Sequence, residues 1–380
     1  MTSYFAPLFF DGHKLHQNIV FSVNSGTISS ISDSVSDASE AHADKTIDGI
    51  VSPGFFDTQV NGGGGVLFNH DPSYAALIKI AKGHRQYGTR ALLPTLITDN
   101  IVNMQAASNA VAEAISQGDT TIQGIHFEGP HLSNTKRGIH SAEHVRSISD
   151  KELALFTRKD CGKVLLTVAP ENLPSDIIRD LSQQGIVISL GHSNADIDTV
   201  LAAIEAGARG FTHLFNAMSG LKAREPGMIA AALTHENIYA GLIADFHHVH
   251  PINCKLAAKA LGKEGLMLVT DAMSTVGSDL QSLPWLNDTI SKQGSRLSLA
   301  DGSLAGSCLD MASAVKNMYQ LLSQRARHDT LTNFDLLALE QVLTMATSTP
   351  AKFLGLEGIA KLHLGSQAEF IVLNNELECS

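Results

Sequence analysis

Residues 122–130 read IQGIHFEGP, and residues 187–193, 210–217 and 266–272 share the form: VISLGHS, GFTHLFNA and LMLVTDA. Each is a short apolar or β-branched run that closes on a histidine or a carboxylate. Side chains alternate along a strand, so His126 and Glu128 share one face while Ile125 and Phe127 share the other. One face must therefore carry the polar pair. A carboxylate such as Glu128 turned into a packed interior is costly without a cation beside it. These runs read as buried strands with chemistry at their far ends.

Working outward, four more runs have the same character: IVSPGFFDTQV (50–60), RALLPTLIT (90–98), VLLTVAP (164–170) and YAGLIADFHHV (239–249). Helix-like stretches such as PSYAALIKIAKGHRQYG (72–88) and NADIDTVLAAIEAGA (194–208) separate them. That alternation is the signature of βα units around a parallel sheet. Eight units predict a closed (β/α)8 TIM barrel, a fold that keeps its catalytic groups at the C-terminal ends of the strands. His126, Glu128, His192, His213, Asp245 and Asp271 all fall in the last part of a run or just after it.

The flanks differ. PLFFDGHKL (7–15), QNIVFSV (17–23) and GTISSISD (26–33) read as small strands and hairpins, and the tail LHLGSQAEFIVLNNELE (362–378) reads as strands again. The predicted organisation is a small β-sandwich domain built by both termini, residues 1–50 and 346–380, with the barrel at 51–345 between them. No internal repeat interrupts this plan.

Composition bounds the function. In 380 residues, 44% are hydrophobic, enough for a large core, and the net charge of -11 argues against a nucleic-acid partner. No apolar run approaches the roughly 20 residues that span a bilayer, so no membrane association is expected. The four cysteines are scattered without a CxxC pair, which suits reduced thiols. The N-terminus lacks the basic region of a signal peptide. The expected compartment is the cytoplasm.

Together Glu128, His192 and His213 offer one carboxylate and two imidazoles on successive units, a shell suited to a catalytic divalent metal with a position open for water. Any one of these histidines alone is more often structural. Asp271 ends the eighth run, where a carboxylate could take a proton from water and return it to a leaving amine. Helix capping is the competing role for it. Gly62–Gly65 lacks the GK[ST] ending of a P-loop and the spacing of GxGxxG, so it reads as a tight turn.

The segments PGFFDTQVNGGGG, GIHFEGPHL, SLGHSNA, FTHLFNAM, REPG, GLIADFHHV and LVTDAM, in that order, resemble the N-acetylglucosamine-6-phosphate deacetylases of the amidohydrolase superfamily. The resemblance spans essentially the whole chain. It implies hydrolysis of N-acetyl-D-glucosamine 6-phosphate to the free amine and acetate, with N-acetylgalactosamine 6-phosphate the closest alternative substrate. It implies that Glu128, His192 and His213 bind the metal and that Asp271 is the catalytic acid/base. His140 would contact the substrate amide carbonyl, and His248 the sugar. Asn216 and Ala217, through backbone groups, and Arg224, through its guanidinium, would hold the phosphate. Homodimers or larger assemblies are implied too, with phosphate contacts from a second subunit.

Many superfamily members open the barrel with His-x-His and bind two metals. Here Gln59 and Asn61 stand at those places. A single metal ion per chain is therefore expected, zinc first and iron or another divalent metal second, with Gln59 near the metal or substrate. A cyclic-amide hydrolase would need His-x-His and a carboxylated lysine, and VLLTVAP contains no lysine. A non-catalytic scaffold on this fold would be expected to have lost its ligands.

Overall fold

A computed structural model describes residues 1–33, 43–323 and 334–379. The chain opens with antiparallel strands β1 (Thr2–Phe10), β2 (Leu15–Asn24) and β3 (Thr27–Asp33), and β4 (Ile50–Pro53) then joins β1 in parallel. Alternation divides the faces of this sheet. Phe9, Phe21 and Val51 form a core with Leu362, while Phe10 and Ile50 face the main core of the barrel.

The barrel follows: β5 (Phe55–Val60), β6 (Thr89–Ile97), β7 (Gly124–Glu128), β8 (Lys163–Val168), β9 (Val187–Leu190), β10 (Gly210–Phe211), β11 (Tyr239–Leu242) and β12 (Leu266–Leu268). They form one parallel sheet in chain order, a strand from each predicted run. The seam between β12 and β5 is drawn together near its C-terminal end. Asp271 N–H donates to the Gln59 carbonyl at 2.9 Å, and Gly62 N–H to that of Ala272 at 2.9 Å. The result is a nearly closed (β/α)8 barrel.

Helices cover the outside. Those at Tyr74–Arg85 and Ile197–Glu205 lie within the stretches predicted from sequence. Each starts at a side-chain cap: Ser73 accepts from the N–H of Ala76, and Asp196 from that of Thr199.

Three layers fill the barrel. At its floor Phe56, Leu93, Leu165, Val187 and Met267 meet Phe353 and Leu354 of the helix Ser348–Leu354. Gly210 admits that plug, since a Cβ there would lie 2.7 Å from the Phe353 ring. The boundary expected at 345 falls inside the helix Leu336–Ala346. Above the floor is a belt of buried polar groups. His126 meets the hydroxyls of Thr95 at 3.1 Å and Thr167 at 2.8 Å, and Thr167 continues to Thr212 at 2.7 Å. Glu128 lies one pleat higher, in the top layer.

After β12 the chain makes an excursion over the top, an antiparallel sheet of β13 (Ser282–Trp285), β14 (Asp288–Gln293) and β15 (Arg296–Ser298). Its Leu283, Trp285, Ile290 and Leu297 pack on Leu67, Ile97 and Met273. Finally β16 (Phe370–Leu373) pairs antiparallel with β4 and returns the C-terminus to the first sheet. The small β unit made by both termini is thus one six-stranded mixed sheet, counting the short pairing of Lys45–Thr46 with β1. The glycine run forms a tight hairpin, Gly62–Gly63 against Val66–Leu67, with Gly64 and Gly65 at φ 58° and 85°. Among the described residues no helix is long and apolar enough to cross a membrane.

Candidate active site

Glu128 is 2% exposed at the end of β7, and four side chains converge on it. Its Oε1 lies 3.2 Å from His192 Nε2 and 2.9 Å from His213 Nε2, and those two nitrogens are 2.9 Å apart. Gln59 Nε2 donates to the same Oε1 at 3.2 Å and to Asp271 Oδ1 at 3.1 Å. Asn61, one pleat further along, donates to Asp271 Oδ1 at 2.6 Å. From the loop after β7, His140 brings Nε2 to 4.0 Å from Glu128 Oε2. All of these but Gln59 border a cavity of about 210 Å³ at the C-terminal end of the barrel, which Asn216, Ala217 and His248 also line.

Arg224 lies elsewhere. It sits exposed on the loop before the helix Gly227–Thr234, where Lys222, not Arg224, pairs with Glu225 at 2.7 Å. Neither lysine nor arginine lines the cavity among the described residues.

The backbone delivers these side chains by turning sharply as each strand ends. His192, His213 and Asp271 have φ of 48°, 37° and 52°, left-handed conformations that cost a non-glycine residue on the order of 1 kcal/mol each. The turn swings the side chain over the barrel mouth. Gly191 permits the turn at His192, because a Cβ there would lie 2.8 Å from Thr167 Cγ2.

Hydrogen bonds orient the histidine rings and bear on their tautomers. His192 Nδ1 is 2.8 Å from the Lys136 carbonyl, which can only accept, so Nδ1 carries the proton and Nε2 presents its lone pair to Glu128 and His213. His140 is the reverse. Both contacts of His140 Nδ1 are with Thr98: the hydroxyl, at 2.8 Å, can give or take a hydrogen there, whereas the N–H, at 3.3 Å, can only give one, so it is the N–H that places the ring hydrogen on Nε2, toward the cavity. Burial, with His192 beside it, holds His140 well below the usual imidazole range, and it is neutral. Burial works to raise Glu128, but the imidazoles of His192 and His213 beside it hold it well below the carboxylate range. Asp271 goes the other way, to about 6, through burial and the neighbouring Glu128 charge. His248 Nδ1 lies 2.7 Å from Asp245 Oδ2, leaving its other nitrogen toward the cavity side. His126 is lowered to about 4 by burial and is committed to its threonines.

Glu128, His140 and His192 are fully buried and bring ligand atoms within 4.8 Å of one another, a group able to hold one divalent ion. His213 adds a fourth donor against the same carboxylate. Ligand distances of about 2.0–2.1 Å in a tetrahedral shell put ligand atoms ~3.4 Å apart. The 2.9–3.2 Å spacings among Glu128 Oε1, His192 Nε2 and His213 Nε2 are close to that. The donor set fits a metal.

A (β/α)8 barrel with a buried carboxylate–imidazole cluster and a second carboxylate at its C-terminal mouth defines a metal-dependent hydrolase. The amidohydrolase family model matches residues 50–379. An N-acetylgalactosamine-6-phosphate deacetylase of Shewanella sp. (strain ANA-3) is 46% identical over 96% of this chain and 89% of that protein. An N-acetylglucosamine-6-phosphate deacetylase of Vibrio furnissii is 32% identical over the same shares. Among solved structures, the N-acetylglucosamine-6-phosphate deacetylase of Pasteurella multocida superposes with a TM-score of 0.88 at 31% identity, covering 100% of this chain and 96% of that one. The chain belongs to the amidohydrolase family and, within it, to the N-acetylglucosamine-6-phosphate deacetylase family.

Several residues of the site gave little sign of themselves in the sequence. Thr98 and the Lys136 carbonyl set the two histidine tautomers. Trp285 Nε1 donates at 3.0 Å to the carbonyl of Ile139, next to His140, from an excursion with no motif of its own. Asn61 was legible, two residues after Gln59 and so on its face.

Proposed function

We propose that this enzyme hydrolyses the acetamide of N-acetyl-D-galactosamine 6-phosphate to D-galactosamine 6-phosphate and acetate. The observation that carries the choice of sugar is the 46% identity to a deacetylase of that substrate, against 32% for a relative named for the glucosamine ester. N-acetyl-D-glucosamine 6-phosphate is the second reading, favoured by the motifs above and by the fit to the Pasteurella multocida structure. The two sugars differ at one hydroxyl. Acetate release from both esters, measured side by side on metal-loaded protein, decides between them. A higher kcat/KM for the galactosamine ester is expected, and a preference for the glucosamine ester would restore the second reading.

Glu128, His192 and His213 are our assignment for the metal ligands, with zinc as the ion and iron the alternative. In that place a divalent ion would supply polarisation of the acetamide carbonyl and a lowered pKa for water. Asp271 takes the proton from the attacking water and passes it to the departing amine nitrogen. Gln59 and Asn61 hold the Asp271 carboxylate by its Oδ1, which leaves Oδ2 to carry that proton. His140 donates its Nε2 hydrogen to the acetamide oxygen as negative charge develops there. His248 contacts the sugar, and Asn216 and Ala217 hold the phosphate through backbone groups.

A cation would strengthen that hold on a phosphate, and among the described residues no lysine or arginine lines the cavity. Exposed Arg224 would serve the site of a neighbouring copy in a cytoplasmic homodimer. Sedimentation of the protein as a monomer, with full affinity for the phosphorylated substrate, would refute that arrangement.

A further inference from the structure

Asp57 is fully buried on β5, one pleat below Gln59, and no role proposed above uses it. Every acceptor position it fills is a tie to the active-site end of the seam. Oδ1 accepts the N–H of Gln59 at 3.1 Å and that of Thr270 at 3.3 Å, and Oδ2 accepts the Thr270 hydroxyl. Thr270 immediately precedes Asp271, whose left-handed φ of 52° aims its carboxylate into the cavity. Gln59 is the residue that donates to both Glu128 and Asp271. A single carboxylate thus grips the backbone on both sides of the seam, next to the group that carries the proton.

We propose that Asp57 is a positioning residue for catalysis: through Thr270 and the Gln59 backbone it fixes the turn that holds Asp271 in line with the scissile amide. Strand ladders do not supply this grip, because β12 ends at Leu268 and β5 at Val60. Beyond the strands the seam is held by the 2.9 Å bonds of Asp271 to Gln59 and of Gly62 to Ala272, together with Asp57. Burial pushes the Asp57 carboxyl up to about 7, which the donors around it oppose, so a neutral amide of the same shape should be accommodated in the fold. The amide, however, turns one acceptor into a donor: the Thr270 hydroxyl must then accept where it donated and pass its hydrogen to the Gln59 carbonyl 3.4 Å away, which loosens the grip.

The inference rests on Asp271 being the proton carrier, so Asp271→Asn is measured beside the test variants. In Asp57→Asn, kcat should fall at least tenfold while KM stays within about twofold and metal content remains at the parent level. Thr270→Val, which removes the hydroxyl and keeps the shape, should fall similarly, and Thr270→Ser should recover most of the rate. The double variant Asp57→Asn/Thr270→Val should be no slower than the worse single one, because both cut the same tie. A purely structural residue would lower the folded fraction without this split and without rescue by serine. If Asp57→Asn folds, binds metal and turns over within twofold of the parent, the proposal is overturned, as it is if the two losses multiply. If Asp57→Asn does not fold, the Thr270 pair decides: equal rates for valine and serine reject the grip. If Asp271→Asn itself turns over normally, the assignment of Asp271 fails; if it is inactive while Asp57→Asn is normal, only the strut fails.

Discussion

Replacing His140 by alanine separates two ways of holding the metal. Glu128, His140 and His192 have ligand atoms close enough to share an ion, and so do Glu128, His192 and His213. The hydrogen bonds choose between them. The Thr98 hydroxyl, 2.8 Å from His140 Nδ1, can donate or accept, but the Thr98 N–H is an obligatory donor aimed at the same nitrogen at 3.3 Å, and on that bond the ring hydrogen lies on Nε2. A nitrogen that carries hydrogen cannot ligate, but it can donate to an oxyanion. His140 is 4% exposed, so that donation takes place away from water. Losing one such donor costs about 2.7–4 kcal/mol of transition-state stabilisation, or 10²–10³ in kcat. His140→Ala should therefore keep one metal ion per chain and lose about a hundredfold in kcat, the lower end of that range because an ion held by Glu128, His192 and His213 would also stabilise the oxyanion. It also leaves the buried Thr98 N–H without its acceptor, which costs about 1–3 kcal/mol of stability. His213→Ala, measured in parallel, should lose the metal. Metal analysis after gel filtration and single-turnover acetate release read both effects. If His140→Ala loses its metal while His213→Ala keeps it, the tautomer argument is wrong and His140 is a ligand.

Three further outcomes follow from the same geometry. Asp271 works as a base only when deprotonated, so activity should fall as pH drops through its pKa; burial and Glu128 set that at about 6 in the metal-free chain, and a bound cation lowers it, so the acid limb of kcat should lie at or below about 6 and vanish with the residual rate of Asp271→Asn. Phe353 is 1% exposed at the barrel floor, and Phe353→Ala should cost about 3–5 kcal/mol in urea unfolding while the folded fraction keeps its specific activity; a loss under 1 kcal/mol would mean the floor repacks. Trp285→Phe removes the bond to the Ile139 carbonyl, worth about 0.5–1.5 kcal/mol, and should lower kcat by up to about tenfold with metal retained; unchanged kcat would show that the excursion does not hold the His140 loop.

Alternation in HFE was enough to set His126 and Glu128 on one face of a strand, and eight such runs were enough for the barrel. Alternation carries no depth, however. His126 and Glu128 look equivalent in sequence, yet the lower one is bound by Thr95 and Thr167, which come from other strands, and only the upper one reaches the cavity. Nor does alternation say where a strand stops. The run GFTHLFNA reads as eight residues of strand, but β10 is Gly210–Phe211 alone, because His213, Phe215 and Ala217 all turn left-handed. None of those residues is glycine, so the usual signal for such a turn is missing, and the conformation is imposed by contacts distant in sequence. The same holds for the tautomers, which depend on Thr98 and the Lys136 carbonyl meeting histidines 42 and 56 residues away. Sugar preference is further still from the pattern. The ligand and acid/base residues act on the acetamide and not on the hydroxyl where the two hexosamines differ. A difference in identity between relatives can favour one sugar, but the motifs that identify the chemistry cannot, since both reactions require the same ones.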